Sequence, residues 1–208
     1  MPQSRTTRRA SVPHFAPGGQ STQMIVGADA TSDHIILATS ARLYGEHQLR
    51  RVYYSAFSPI PDAAHALPLA APPTVREHRL YQADWLMRFY GFTHDEIVPT
   101  SQQGMLALDM DPKLAWALAH RERFPVNLNT APRELLLRVP GFGVQTVDRL
   151  LAARRVRRLR HADLARLHVP LKKVLPFVEA ADYRPGRALD AADLAAQLTP
   201  PPVQRSLF

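Results

Sequence analysis

The 208-residue chain contains no cysteine. This absence excludes disulfide bonds, thiolate metal sites and a cysteine-held iron–sulfur cluster from its own residues. The nine histidines show neither His-x-x-His nor His-Glu-x-x-His spacing, so the sequence predicts no metal site. No apolar run approaches the length of a membrane helix, and residues 1–9 lack the apolar stretch of a signal peptide. We therefore expect a cytoplasmic protein without a membrane partner.

Acidic residues are scarce in one part of the chain. Residues 121–173 hold 13 of the 26 lysines and arginines but only four of the 18 acidic residues. That segment therefore carries a net charge of +9, whereas the remainder carries −1. A positive charge concentrated on one small module is typical of a polyanion binder.

Glycine is also scarce, with nine residues against 19 prolines, yet two glycines lie close together in Pro140-Gly141-Phe142-Gly143. The apolar spacing on either side predicts two short helices, the first starting near residue 129 or 130 and the second at 144. Glycine permits positive φ and a close backbone approach. The hairpin amides and the start of the second helix therefore predict an anion site, with phosphate the obvious anion.

The first part of the chain predicts a strand, a helix and a second strand. Residues 23–28 and 51–57 are short runs rich in β-formers, and between them Thr31, Ser32 and Asp33 offer N-cap chemistry for a helix running to about residue 47. Two strands joined by a helix of this length form a parallel βαβ unit. Such a unit needs further strands to bury it.

The middle of the chain predicts helices. Residues 76–90 form an apolar face and end at Gly91, and Asp111-Pro112 has the pattern of an N-cap followed by proline at the first helical position. Trp85, Phe89 and Tyr90 are aromatic residues of the kind that stack on bases, but packing in the core is the favoured interpretation.

The blocks at 20–62 and 76–85 resemble putative DNA modification or repair radical S-adenosylmethionine proteins. The first includes Gln-Met-Ile-Val-Gly-Ala-Asp and Arg-Val-Tyr-Tyr-Ser-Ala-Phe-Ser-Pro-Ile-Pro, and the second is Arg-Glu-His-Arg-Leu-Tyr-Gln-Ala-Asp-Trp. The resemblance extends over roughly 20–185. It implies an α/β plus α fold: a partial, truncated barrel βαβ unit followed by an all-α helix-hairpin-helix domain.

In that family, three cysteines hold a [4Fe-4S] cluster that cleaves S-adenosylmethionine. This chain lacks them, so both cofactors are expected only in a full-length relative, and the chain alone is predicted not to be catalytic. Two interpretations stay open: a fragment that binds DNA in repair or modification, or half of a split enzyme completed by a cysteine-bearing barrel half.

The segment from residue 127 through the hairpin resembles the helix-hairpin-helix motif of DNA uptake and repair proteins, in the form Asn-Leu-Asn-Thr-Ala, then Glu-Leu, then Pro-Gly-x-Gly. The resemblance implies sequence-independent binding to phosphates. The amides of Gly141, Gly143 and Val144 and the side chains of Gln145, Thr146 and Arg149 would make the contacts. Five of the seven residues at 154–160 are arginines, at 154, 155, 157, 158 and 160. A solvated charged turn is the alternative, but five unneutralised charges side by side repel one another unless a polyanion lies near. The candidate DNA-binding residues are therefore Gly141, Gly143, Val144, Gln145, Thr146, Arg149, Arg154, Arg155, Arg157 and Arg158.

Residues 161–177 look like a second, degenerate copy in which His168-Val169-Pro170 replaces the glycine hairpin. We assign this copy mainly to packing, with Lys172 and Lys173 as auxiliary contacts.

The last five residues resemble the bacterial sliding-clamp-binding pentapeptide. Gln204, Leu207 and Phe208 would dock into a hydrophobic pocket from a flexible tail, and a frayed terminus is the alternative. The predicted organisation is a disordered start at 1–20, the barrel part at 21–62, a linker and helical connection at 63–120, the DNA-binding domain at 121–182 and the flexible tail at 183–208.

Overall fold

The computed structural model describes residues 16–60, 67–99 and 103–199. It begins with β1 (Ser21–Val26), α1 (Asp33–Glu46) and β2 (Arg51–Ala56). The two strands pair in parallel, with Ser21 opposite Arg51 and Val26 opposite Ala56. The predicted βαβ unit is confirmed, and so is the cap, because the Ser32 hydroxyl accepts a hydrogen bond from the Ile35 amide.

Three helices follow: α2 (Thr74–Tyr90), α3 (His94–Ile97) and α4 (Pro112–Ala119). Gly91 ends α2 in the left-handed conformation, at φ 71°. Asp111 caps α4 by accepting a hydrogen bond from the Leu114 amide at 3.0 Å. Both ends are as predicted, because a cap depends on residues within one helical turn of each other.

The C-terminal part is helical, with one small sheet. The strands β3 (Val126–Asn127) and β4 (Val178–Glu179) pair in parallel. Between and after them lie α5 (Arg133–Arg138), α6 (Val144–Arg154), α7 (His161–Arg166), α8 (Leu171–Val174) and α9 (Leu194–Leu198). The described chain is thus a mixed α/β unit followed by a mainly α-helical part.

The predicted start of α5 near residue 129 or 130 is wrong by three to four residues, since the helix begins at Arg133. Asn127 belongs to β3, and its side chain accepts a hydrogen bond from the Asn129 amide. Asn129 in turn bonds both the amide and the carbonyl of Leu159. The two asparagines therefore join β3 to the segment after α6 instead of starting a helix.

The tail predicted to be flexible from residue 183 is packed in its described part. Leu189 and Leu194 are buried, and the Arg121 guanidinium donates hydrogen bonds to the carbonyls of Leu189 and Ala191, each at 3.0 Å. The sequence shows an amphipathic pattern around Leu189 and Leu194, but it does not show that these side chains pack into the apolar cluster of the rest of the chain.

One cluster of buried apolar side chains runs from Val26 to Leu194. Helix α2 lies near its centre and contacts β2, α1, α4 and α5. The segment predicted as a helical connection is therefore a structural centre of the fold.

The outer edge of β2 is covered by side chains from the helices. The amides of Val52 and Tyr54 donate to the hydroxyls of Tyr44 and Tyr81, each at 3.0 Å, and the Ala56 amide donates to the Glu77 carboxylate at 3.1 Å. Within the described residues, the outer edge of β1 has no such partners.

Among the helices described here, none has both the length and the apolar character needed to cross a membrane.

Candidate nucleic-acid interface

The connection between α5 and α6 is a tight turn anchored by apolar side chains. Val139 and Phe142 are buried, and the Phe142 amide donates to the Val139 carbonyl at 3.2 Å. On α6, Val147 and Leu150 are fully buried. The turn is therefore held rigidly, and its backbone groups are fixed in direction.

The two hairpin glycines have different structural roles. Gly141 adopts φ 88°, and a Cβ there would lie 2.8 Å from Val174 Cγ2 and 3.0 Å from Pro170 Cγ. The hairpin thus packs tightly on the segment that begins α8. Gly143 is the N-cap of α6 at φ −93° and ψ 166°, an extended conformation open to any residue. Of the two uses expected of these glycines, positive φ is observed at Gly141, whereas the close approach of a partner to Gly143 stays a prediction.

Within the described residues, five backbone amides of this turn and of the start of α6 donate to no protein acceptor: those of Gly141, Gly143, Val144, Gln145 and Thr146. The last three lie in the first turn of an 11-residue helix, where the helix dipole adds positive potential. Together, the amides and the dipole suit an anion.

The candidate arginines divide into two groups. Arg149, Arg155 and Arg158 are exposed and, among the described residues, form no ion pair or side-chain hydrogen bond. Arg154 instead donates to the Ala131 carbonyl at 2.6 Å, and Arg157 forms a bidentate pair with Asp163.

These two pairings give Arg154 and Arg157 structural roles in addition to any contact with a ligand. Arg154 ties the end of α6 to the segment before α5. The hydrogen bonds from Arg157 and from the Arg160 amide hold the pKa of the Asp163 carboxyl below its usual value. The prediction that the arginine cluster is unneutralised is therefore wrong for Arg157, because its acidic partner lies six residues further along.

The arginine cluster and the hairpin lie at opposite ends of α6. At a rise of about 1.5 Å per residue, its length separates them by roughly 16 Å. The structure therefore offers two sets of positive groups along one helix instead of a single site.

The segment predicted to be a degenerate second copy, residues 161–177, packs against the hairpin. Helices α7 and α8 are joined at His168, which adopts φ 54°, and Pro170 and Val174 contact the hairpin. Lys173 forms an ion pair with Asp111, whereas Lys172 is exposed. The packing role predicted for this copy is confirmed.

A cleft of about 490 Å³ lies directly beside the hairpin. Its lining residues come from α2, the start of α4 and α8: Tyr81, Gln82, Trp85, Leu86, Tyr90, Asp111, Pro112, Lys113 and Lys173. Trp85 is 52% exposed and its neighbour Phe89 is 44% exposed. The expectation of core packing is wrong for these two rings, because among the described residues no other element covers their side of α2, whereas Tyr90 packs against the core.

Lys113 joins this cleft to the hairpin. Its side chain is buried, its Nζ donates a hydrogen bond to the Phe142 carbonyl at 2.6 Å, and the same atom lies 4.7 Å from the centre of the Tyr90 ring. Burial lowers the pKa of Lys113 to about 7, against the opposing effect of Asp111. This contact of Lys113 was not predictable from local sequence patterns, since its partner lies 29 residues away.

One group of side chains has the composition of a metal site. His34, His94 and Asp95 bring one ligand atom each to within 4.8 Å of the others. His34 is oriented by a 2.9 Å hydrogen bond between its Nδ1 and the Val98 carbonyl. The sequence prediction of no metal site depended on local spacing and missed this group, because His34 and His94 come from different helices. Asp95 is 70% exposed, so the group is open to solvent.

The residues predicted to bind a sliding clamp, Gln204, Leu207 and Phe208, lie outside the described part of the chain.

No protein-family model, curated protein or solved structure matches this chain. Function is therefore inferred from the amides, charges and cleft described above.

Proposed function

We propose that the chain binds DNA through its phosphate backbone, with residues 133–154 acting as a helix-hairpin-helix element. The observation that supports this most directly is the set of five amides in the hairpin and the first turn of α6 that have no acceptor among the described residues. Phosphate is the anion that such a turn is suited to hold, since both the N–H groups and the helix dipole favour negative charge. The net charge of +9 in residues 121–173 draws DNA to the same surface.

The second set of positive groups extends the contact along the duplex. Arg155 and Arg158, about 16 Å from the hairpin along α6, would reach phosphates several base steps away. Arg149 lies between the two sets, and Lys172 adds a charge from α8. Contacts of this kind fix position without identifying bases, so the binding is independent of sequence. The resemblance to DNA modification and repair proteins suggests that such binding serves repair or modification.

The test is a binding titration with a variant that removes one amide. In Val144→Pro the N–H is lost, while proline suits the first position of a helix and the extended Gly143 suits the residue before proline. A lost hydrogen bond to a charged phosphate should weaken binding roughly 10- to 100-fold. The measurement is fluorescence anisotropy with a labelled duplex.

Val144→Ala is the matched control, because it removes the same side chain and keeps the amide. It should bind DNA as the unmodified chain does. For four to six phosphate contacts, raising the salt from about 50 to 200 mM should weaken binding of the unmodified chain about 10²- to 10³-fold. Absent binding, or binding insensitive to salt, would show that the proposal is wrong.

A second function is favoured by the uncapped edge of β1. The side chains of Tyr44, Tyr81 and Glu77 cover the outer edge of β2, so among the described residues the edge that is open to a further strand is that of β1. Ile25 and Tyr53 are 51% and 43% exposed, whereas parallel sheets are normally covered on both faces. We propose that β1 is the joining edge for a cysteine-bearing barrel half. With no cysteine, this chain does not fit an iron–sulfur cluster, so the cluster and S-adenosylmethionine would be held by that partner.

Co-expression with the product of the gene immediately upstream checks this second proposal. That product should carry three closely spaced cysteines and should co-elute with this chain. The variant Ile25→Asp should reduce co-elution, while Ile35→Asp, a matched change at an exposed isoleucine on α1, should not. If the upstream product lacks the cysteines or both variants co-elute unchanged, the idea fails.

A further inference from the structure

We propose that the cleft beside the hairpin receives an unpaired nucleobase of the DNA whose phosphate is held by the hairpin amides. This inference rests on the proposed DNA binding and names the part of the substrate that the phosphate contacts leave unspecified.

The lining of the cleft suits a flat aromatic ligand. Tyr81, Trp85 and Tyr90 contribute rings from one side of α2, and Trp85 is the most exposed of them. A volume of about 490 Å³ lies within the range of small-molecule sites and has room for a base and its sugar. Stacking on aromatic rings accepts every base, because each has a π-face.

The cleft and the hairpin are close enough to serve one nucleotide. The Tyr90 hydroxyl would lie 3.9 Å from a Cβ placed on Gly143, the residue whose amide opens the phosphate site. Lys113 lines the cleft while bonding the Phe142 carbonyl in the turn itself. A phosphate on the amides of residues 143–146 would therefore place its own base, or the adjacent one, at the mouth of the cleft.

The charges of the cleft favour a nucleotide over a neutral aromatic compound. Lys113 and Lys173 contribute two amino groups against the single carboxylate of Asp111, which is paired with Lys173. A phosphate near Lys113 favours its charged form, since an opposite charge stabilises protonation. Gln82 and Asp111 are polar residues of the lining, and Asp111 is already engaged by the Leu114 amide and Lys173.

The free-energy cost of unstacking and unpairing favours an unpaired base over a base inside a duplex. A base inside a duplex has to be unstacked and unpaired before it enters a pocket, whereas a bulged or single-stranded base is already free. The chain should therefore distinguish DNA with an unpaired nucleotide from a perfect duplex, whatever the sequence.

The experiment compares a labelled duplex with the same duplex carrying one bulged nucleotide. From the usual contribution of base–aromatic stacking, the bulged DNA should bind about 5- to 150-fold tighter. Trp85→Ala should remove this preference and leave the affinity for the perfect duplex unchanged. Phe89→Ala is the matched control, because Phe89 is a similarly exposed neighbour that does not line the cleft. Trp85→Phe should keep most of the preference.

A fluorescent 2-aminopurine at the bulge provides a second measurement. Its emission should be quenched on binding to the unmodified chain and to Phe89→Ala, but not on binding to Trp85→Ala. Equal binding of both DNAs, unaffected by Trp85→Ala, would overturn the cleft proposal and leave the phosphate proposal intact. If neither DNA binds, both are wrong. A bulge preference that depends on Trp85 but is unchanged by Val144→Pro would support the cleft and count against the hairpin amides.

Discussion

Replacement of Asp33 by alanine is expected to lower the free energy of unfolding by about 3–5 kcal/mol. Asp33 is fully buried in the first turn of α1 and accepts a 2.7 Å hydrogen bond from Arg76 Nε on α2. Its second oxygen accepts from the Leu106 amide at 2.9 Å. Alanine leaves the Arg76 charge buried without its anion and the amide without its acceptor. Urea unfolding followed by circular dichroism measures the loss.

Asp148→Ala is the matched control for this large effect. Asp148 pairs with Arg133 at 3.1 Å, but the side chains are 54% and 42% exposed. Solvent screens such a pair, and its removal should cost less than about 1 kcal/mol. Similar losses for Asp33→Ala and Asp148→Ala would mean that the buried pair contributes no more than a surface pair.

Gly141→Ala should lower the free energy of unfolding by about 2–4 kcal/mol and weaken DNA binding with it. A side chain at φ 88° adds backbone strain of about 1–2 kcal/mol. Its Cβ would also lie 2.8 Å from Val174 Cγ2, and such overpacking costs about 1–3 kcal/mol. A shift of α8 would relieve part of both the backbone strain and the overpacking, so the total loss is smaller than the sum of the two upper values. Thermal and urea unfolding measure the stability, and anisotropy measures the binding.

Gly143→Ala separates the roles of the two glycines. Its backbone is extended, and the nearest atom to the added Cβ is the Tyr90 hydroxyl at 3.9 Å. Stability should change by less than about 1 kcal/mol, and the amide proposed to bind phosphate is kept. A loss at Gly143 as large as that at Gly141 would contradict the assigned conformations.

The elements that were predictable from the sequence are those determined by neighbouring residues. Ser32 and Asp111 cap their helices, and Gly91 ends α2, because each of these effects acts within one turn. The parallel pairing of β1 and β2 followed from a helical crossover between two β-rich runs. Local chemistry was sufficient for these features.

The features that sequence analysis missed depend on residues far apart in the chain. Lys113 meets Phe142, and His34 meets His94, only after the helices have packed. Gly141 and Gly143 cannot be distinguished by residue type, but Gly141 packs against α8 and Gly143 is the N-cap of α6. Periodicity shows which side of a helix is apolar, but not which residue will lie opposite.

The two outer edges of the small parallel sheet differ in how well they resist aggregation. An unpaired strand edge is a template for any extended segment, including one from a second copy of the chain. On β2, the side chains of Tyr44, Tyr81 and Glu77 accept hydrogen bonds from the outer amides, so another strand cannot pair with these amides. On β1, which is six residues long and includes the exposed Ile25, no described side chain accepts from the outer amides. Among the described residues, β1 is therefore the edge at which a second copy of the chain would pair.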